Sequence, residues 1–296
     1  MIGSSGRSRR TGPLGARLPV PVAGLNVLFL LLVVVAMGLP MLNVLAVSLS
    51  TQANSETPGL VLFPSPATFE GYRFIWSYTN LWRPFVNTAY VSVVGTILHV
   101  ILSAAGGYVL MQRGLPLRKI MTTFVILTMT IPGELTLVSI YQVNRDFGLV
   151  NTYAGLIVNG AASGFSILLM RNYFMGIPQS LAEAARMDGS SEISTFARVY
   201  VPLSVPATVT VATLQFISRW NNIALVATLI SDMKKTTLPV ILRGLLVELQ
   251  STSGTAYIYA NAKMAAVVIA AVPLIVLYFS AQRFFVAGAL LGATKE

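Results

Sequence analysis

The sequence predicts an all-α membrane protein, because the chain is strongly apolar and its apolar residues fall in long runs. Of its 296 residues, 55% are hydrophobic and only 10% are charged, and the mean hydropathy is +0.73. A soluble domain carries about 25% charged residues, so lipid explains this composition better than a buried core. A helix that crosses a bilayer needs roughly 20 apolar residues. We therefore expect one transmembrane domain over residues 1–296, with six transmembrane helices.

Six apolar runs are the candidate spans. In order, they cover residues 24–47, 85–111, 120–141, 154–170, 203–217 and 262–285. Pro40 is expected to kink the first, because proline removes a backbone hydrogen bond. Arg219-Trp220-Asn221-Asn222 interrupts the chain after the fifth. The apolar piece 223–230 is too short to span alone, so it either extends the fifth span or lies re-entrant beside protein.

The distribution of charge predicts the orientation. With six spans and cytoplasmic termini, twelve Lys and Arg residues lie inside and eight lie outside, and the short inner loop 113–119 is basic. The formal net charge of +10 thus reflects membrane orientation rather than nucleic-acid binding. The N-terminal tail, 1–23, is arginine-rich, but the apolar run after it is too long for a signal peptide, so we expect an uncleaved first span.

Several chemistries have no residues to support them. The chain has no cysteine, which excludes disulfides and cysteine-ligated metals. It also lacks the G-x-x-x-x-G-K-[ST] pattern of a nucleotide-phosphate loop and the H-E-x-x-H spacing of a metal site. We therefore expect no nucleotide, cofactor or metal site in this chain.

Polar residues within the spans are the candidates for a solute path, because such groups are costly in lipid and often line cavities. His99 lies in the second span, Glu134 in the third, and Asn159 and Gln215 in later ones. The alternative for His99 and Glu134 is hydrogen bonding between helices. Arg219, Trp220, Asn221 and Asn222 are better suited to meet a sugar, and their alternative is an anchor at the membrane interface.

A polar loop between the fourth and fifth spans, 176–202, is patterned for two short helices. Ser180 and Glu183 have the spacing of a capping box, and a helix of about nine residues ends at Gly189, which can adopt positive φ. Ser190 or Ser191 caps a second helix that ends at Pro202. On helix physics alone, the loop is equally well explained as an interfacial hairpin in which Glu183 is only a cap.

The spacing in this loop resembles a known cytoplasmic motif. Glu183-Ala184-Ala185 is followed after three residues by Gly189, and after nine more by Val199-Tyr200-Val201-Pro202. This is similar to the E-A-A motif of permease subunits of bacterial ABC importers, with valines where Ile and Leu are usual. Asn87-Thr88 and the end of the chain resemble the second permease of carbohydrate importers, which corresponds to the smaller maltose permease. The stretch beginning at Asn261 is closest to a branch that carries polysaccharide fragments such as alginate.

The resemblance implies a coupling helix between spans 4 and 5 that docks on an ATPase subunit. The implied coupling residues are Glu183, Ala184, Ala185, Asp188, Gly189 and Pro202, and the C-terminal tail, 286–296, reaches the same subunit. The implied partners are a second permease forming a heterodimer, two ATPase subunits that hold ATP and Mg, a periplasmic or lipid-anchored solute-binding protein, and membrane lipid. The implied location is the bacterial inner membrane.

Two other classes of function remain open at this point. A secondary transporter or channel would also place polar groups at mid-depth, but it does not need an E-A-A loop. A membrane enzyme built on His99 and Glu134 is the second alternative, although nothing else in the sequence resembles a nucleophile with its base.

Overall fold

The structure, a computed structural model, describes residues 20–78, 80–247 and 258–293, which are helical with no β-strand. The helices are α1 (Val20–Ser48), α2 (Gln52–Ser55), α3 (Glu70–Tyr78), α4 (Trp82–Met111), α5 (Arg118–Thr130), α6 (Leu137–Asp146), α7 (Tyr153–Val158), α8 (Gly164–Met175), α9 (Gln179–Met187), α10 (Glu192–Thr195), α11 (Val201–Leu203), α12 (Val205–Trp220), α13 (Ala224–Leu229), α14 (Leu238–Val247) and α15 (Ala260–Ala293). A 3₁₀ turn, Gly133–Thr136, precedes α6, and a π-helical segment, Phe196–Tyr200, joins α10 to α11. The all-α prediction is confirmed.

Within the described part of the chain, three helices are long and apolar enough to cross a membrane by themselves. Their spanning parts are Gly24–Ser48 in α1, Trp82–Met111 in α4 and Ala260–Phe284 in α15, at the predicted first, second and sixth spans. The helix of α15 continues through most of the predicted C-terminal tail, to Ala293. Most of the N-terminal tail, 1–19, and residues 294–296 lie outside the described part of the chain.

The third predicted span is sharply bent. Its two halves, Arg118–Thr130 and Gly133–Asp146, meet at 92°. Pro132 lies at the bend, where it has no N–H to give to the preceding turn and its ring clashes with the backbone there. The apolar run therefore forms two helices at a large angle instead of one straight span.

The fourth predicted span, 154–170, is not one helix, which corrects the sequence prediction. The chain forms α7 and α8 with a break over residues 159–163. Gly160 has a φ of +74°, a left-handed conformation that ends a right-handed helix. Ser163 then starts α8, since its hydroxyl accepts from the Ser166 N–H at 3.3 Å.

The fifth predicted span corresponds to α12, which continues through Arg219 and Trp220 instead of being interrupted before them. Together with the segment Glu192–Leu203, it forms a second bent pair, with an angle of 80°. The short helix α13 does not extend α12: a turn at Asn221-Asn222 separates them, and Asn222 Oδ1 accepts from the Leu225 N–H at 3.0 Å.

Helix α4 is the centre of the fold, packed mainly against α8 and α12. Small residues on α4 allow close packing, as at Gly107, where an added Cβ would lie 2.8 Å from the Arg171 backbone nitrogen. By contrast, the most apolar stretch of α1 has no buried residue, so this helix presents its side chains outward. The inner packing of α4 positions the cavity described next.

Candidate functional site

A polar cavity of about 700 Å³ lies beside α4, between the break at 159–163 and the ends of α12 and α13. Its polar lining comprises Thr88, Ser92, His99, Glu134, Thr136, Asn159, Ser163, Gln215, Ser218, Arg219, Asn221, Asn222 and Thr237. Polar groups are scarce between apolar helices. Where several of them line one cavity, the cavity is suited to bind a hydrophilic solute.

His99 joins α4 to the break between α7 and α8. Its imidazole is fully buried, with Nδ1 2.8 Å from the Gly160 carbonyl oxygen and Nε2 2.8 Å from Ser166 Oγ. A carbonyl oxygen only accepts, so Nδ1 carries the proton and Nε2 accepts from the serine hydroxyl. His99 is thus a fully bonded link between helices at the cavity wall.

Arg219 reaches the same break from the end of α12. It is 8% exposed, and Nη1 donates to Leu156 O at 3.0 Å while Nη2 donates to the carbonyls of Ile157, Asn159 and Gly160 at 3.1, 3.3 and 2.9 Å. The last carbonyls of a helix lack internal donors and carry partial negative charge. The guanidinium therefore caps α7, and most of its donors are occupied by backbone.

Trp220 does not line the cavity. Its side chain is 2% exposed, stacks on Phe216 at 5.5 Å between ring centroids, and meets Phe85 edge-on at 5.7 Å. Its indole N–H donates to Ala270 O at 3.1 Å. The expectation that Trp220 faces the solute is therefore not met, because this residue faces α15 on the far side of α12 from the break.

Glu134, Asn221 and Asn222 do line the cavity. Glu134 is exposed in the 3₁₀ turn before α6, next to the bend at Pro132. Asn221 Nδ2 donates to Ile217 O at 3.1 Å, and Asn222 caps α13. The cavity thus brings together five of the six predicted path residues.

Sequence reasoning missed the residues that form the break. Gly160 O accepts from His99 and Arg219, Ser166 bonds to His99, and Ser163 lines the cavity. All three lie within the apolar run 154–170, which was predicted as a single span. The signal that could have found them is the run Gly160-Ala161-Ala162-Ser163-Gly164, which pairs a left-handed glycine with an N-capping serine.

The loop 176–202 forms the two short helical segments expected. The first, α9, has nine residues, and Gly189 after it has a φ of +81°. The capping box is wrong: Pro178 occupies the N-cap without a side-chain bond, and Glu183 Oε1 instead accepts from Gln179 Nε2 at 2.8 Å. Ser191 does cap α10, and the second segment passes Pro202 to end at Leu203.

The tip of this loop is exposed and partly apolar. Ala182 is the residue of α9 that packs inward, at 1% exposure, whereas Met187 and Ile193, on either side of Gly189, are 88% and 80% exposed. Glu183, Ala184 and Asp188 are exposed on the same loop, and Ala185 is half-buried. Large apolar side chains that are so exposed, with acidic groups beside them, are typical of a surface that binds another protein.

A hydrogen bond to the carboxylate of an ion pair within the loop ties the loop to α4. Arg186 Nε donates to Glu192 Oε1 at 2.9 Å, and the Tyr108 hydroxyl, near the end of α4, donates to Glu192 Oε2 at 2.7 Å. The hydrogen bond from Arg186, followed by that from Tyr108, lowers the pKa of the Glu192 carboxyl from its usual range. The loop is therefore held to a membrane helix by a charged contact.

Comparison with known proteins points to one family. The family described as "Binding-protein-dependent transport system inner membrane component" matches residues 93–289. The polygalacturonan/rhamnogalacturonan transport system permease protein YtcP of Bacillus subtilis is 29% identical, over 90% of this chain and 96% of its own. Protein LplC of the same species is 31% identical, over 91% of this chain and 93% of its own.

Solved structures share the fold. A chain from the crystal structure of a bacterial ABC transporter involved in the import of the acidic polysaccharide alginate has a TM-score of 0.82 and 26% identity, covering 96% of this chain and 100% of that one. A chain of the MetNI methionine ABC transporter has a TM-score of 0.52 and 19% identity, over 77% of this chain and 99% of that one, which shows the fold alone.

Proposed function

The chain belongs to the family of binding-protein-dependent transport system inner membrane components, and from this premise we propose that it is a permease subunit of an ABC importer for oligosaccharides or polysaccharide fragments. Two similar permease proteins serve polygalacturonan/rhamnogalacturonan and arabinooligosaccharides, and the structural match belongs to an alginate importer. The polar cavity beside α4 is half of the translocation path in this proposal.

The observation that carries the mechanism is the loop 176–202. Its exposed tip, with Glu183, Met187 and Ile193, projects from a base tied to α4 through Tyr108. We propose that the tip docks on an ATPase subunit that holds ATP and Mg, and that Glu183 is a docking contact. Movement of that subunit is then transmitted through α9 to the Arg186–Glu192 ion pair, and from Glu192 to Tyr108 on α4.

The proposed assembly has a second permease, two ATPase subunits and a periplasmic or lipid-anchored solute-binding protein in the bacterial inner membrane. In it, each of α5–α6 and α7–α8 crosses the membrane once, which gives six spans with both termini cytoplasmic. Support for the bent crossings comes from the polar cavity, which α6 and the break at 159–163 both line.

The test of this function is transport by the complete complex in proteoliposomes. We expect uptake of an alginate tetrasaccharide to require ATP and the binding protein. Uptake of galacturonate trisaccharide, a second acidic sugar, and of raffinose, a neutral sugar, is measured for comparison. ATPase activity should rise only with the binding protein loaded by a transported sugar. Uptake driven by an ion gradient without ATP would contradict the proposal and favour a secondary transporter.

Glu183→Lys tests the docking contact. Reversal of a charge at a protein interface costs several kcal/mol, so we expect at least a roughly tenfold loss of ATPase-subunit binding and of transport. Binding is measured by co-purification, and transport in proteoliposomes. Asp146→Lys, at another exposed acidic position, is the matched control and should behave as wild type. Unchanged transport-coupled ATPase activity in Glu183→Lys would exclude the docking role.

A further inference from the structure

We propose that Arg219 is a positioning residue for transport: it holds the break between α7 and α8 so that residues 159–163 form one wall of the cavity. This inference rests on the proposed permease function. It differs from the sequence expectation, in which Arg219 binds the solute itself.

The hydrogen bonds of Arg219 explain why the break depends on it. Helix α7 has six residues, fewer than an isolated helix needs to be stable, and its last carbonyls have no internal donors. Arg219 supplies donors to four carbonyls, from Leu156 to Gly160. Asn159, Gly160 and Ser163 all line the cavity, so the position of the guanidinium sets the position of that wall.

A glycine on α4 fixes where the guanidinium can lie. A Cβ added at Gly95 would be 2.4 Å from Arg219 Nη1 and 2.6 Å from Cζ, so the arginine lies directly against the α4 backbone. Arg219 Nε is buried without a hydrogen-bond partner in the described part of the chain. The orientation of the group is therefore set by the carbonyls and by contact with Gly95, and the enclosed Nε cannot reach a solute.

These contacts allow charge and position to be separated experimentally. Arg219→Gln removes the charge and most donors, whereas Arg219→Lys keeps the charge but replaces the planar fork with one ammonium. Gly95→Ala keeps the arginine but displaces its guanidinium. Gly106→Ala is the matched control on the same helix, because its Cβ would meet only the Ile167 side chain, at 3.4 Å or more.

The measurement is the number of sugar molecules imported per ATP hydrolysed by the assembled complex, with alginate tetrasaccharide, galacturonate trisaccharide and raffinose as probes. Loss of a hydrogen bond to a charged group is large enough to change such a ratio about tenfold. We therefore expect about a tenfold fall for Arg219→Gln and Gly95→Ala, and a smaller fall for Arg219→Lys. Gly106→Ala should match wild type. A merely structural role would reduce the amount of assembled complex and leave the ratio unchanged.

Two results would overturn the inference. The first is an unchanged ratio in assembled Arg219→Gln complexes. The second is a low ratio in Arg219→Gln together with a normal ratio in Gly95→Ala. That result would mean that transport depends on the charge of Arg219 and not on the position of its guanidinium. If Arg219→Gln fails to assemble, Gly95→Ala decides. Absence of ATP-dependent uptake of all three probes by the wild-type complex would instead contradict the proposed function.

Discussion

At the scale of single residues, the cavity wall converges on one carbonyl. Gly160 O accepts from His99 Nδ1 at 2.8 Å and from Arg219 Nη2 at 2.9 Å, so α4 and α12 both bind the break between α7 and α8. The left-handed φ of Gly160 turns this carbonyl out of the helix. Two donors on one acceptor make the wall depend on both side chains.

His99→Leu should destabilise the protein, because it leaves the buried Ser166 hydroxyl and one lone pair of Gly160 O without their His99 partner. We expect the free energy of unfolding to fall by about 2 kcal/mol, measured as a shift in the denaturation midpoint of the purified chain in detergent. His99→Gln is the control, since its amide offers one donor and one acceptor, and it should recover at least half of the loss. Equal losses in the two variants would show that these hydrogen bonds do not stabilise the fold.

Sequence reasoning at this scale identified polar residues but not their partners. His99, Glu134, Arg219, Asn221 and Asn222 stood out because polar groups are rare in or beside apolar runs, and all five line the cavity. The acceptors of Arg219 could not be predicted, because they are backbone carbonyls of a distant helix whose break was not foreseen. Trp220 was predicted to face the solute and is buried instead, because an aromatic residue that stacks on a sugar and one that packs between helices have the same sequence signal.

At the scale of helices, aromatic packing as well as a hydrogen bond connects the loop 176–202 to α4. The ring of Tyr108 lies 5.0 Å from that of Phe196 and 5.2 Å from that of Tyr200, and meets Phe174 edge-on. These rings come from α4, α8 and the π-helical segment, so they join the base of the loop to two membrane helices. The hydroxyl of Tyr108 adds the bond to Glu192.

Tyr108→Phe separates the hydrogen bond from the ring packing. The loss of a hydrogen bond to a carboxylate should lower the free energy of local opening of residues 179–200 by about 1.5 kcal/mol, which is about a tenfold faster amide exchange. Hydrogen exchange with mass spectrometry measures this directly. Tyr173→Phe is the control, because no hydrogen bond of its hydroxyl occurs among the described residues. Equal exchange in the two variants would show that Glu192 does not hold the loop.

Helix positions were easier to predict than helix continuity. Apolar runs marked the spanning parts of α1, α4 and α15 within a few residues, because length and hydropathy alone decide such spans. They did not reveal the break at 159–163, since Ala161 and Ala162 keep the hydropathy high across it. Pro132 lies within the third apolar run, but whether a proline kinks a helix or turns it by 92° depends on the packing of α6, which no local pattern contains.

At the scale of the whole molecule, the number of membrane crossings depends on two pairs of helices. By length and composition, the bent pair α5–α6 fits either one crossing or a re-entrant loop. Helices α7 and α8, with six and twelve residues, are each too short to cross a bilayer alone, so the same two arrangements apply to them. Two crossings and two re-entrant loops both leave the termini and the loop 176–202 on one side of the membrane. The two arrangements differ in the side on which the connection between α6 and α7 lies, which carries Arg145 and Asp146 at its start.

Single cysteines decide this question, because the chain has none of its own. Gly114→Cys precedes α5, Asp146→Cys ends α6 and Ser180→Cys lies in α9, so each pair is bracketed by two labels. If each pair crosses once, a membrane-impermeant maleimide labels only Asp146→Cys in intact spheroplasts, and Gly114→Cys and Ser180→Cys react after permeabilisation. Labelling of all three from one side would show both pairs to be re-entrant, and the six-span topology would be wrong.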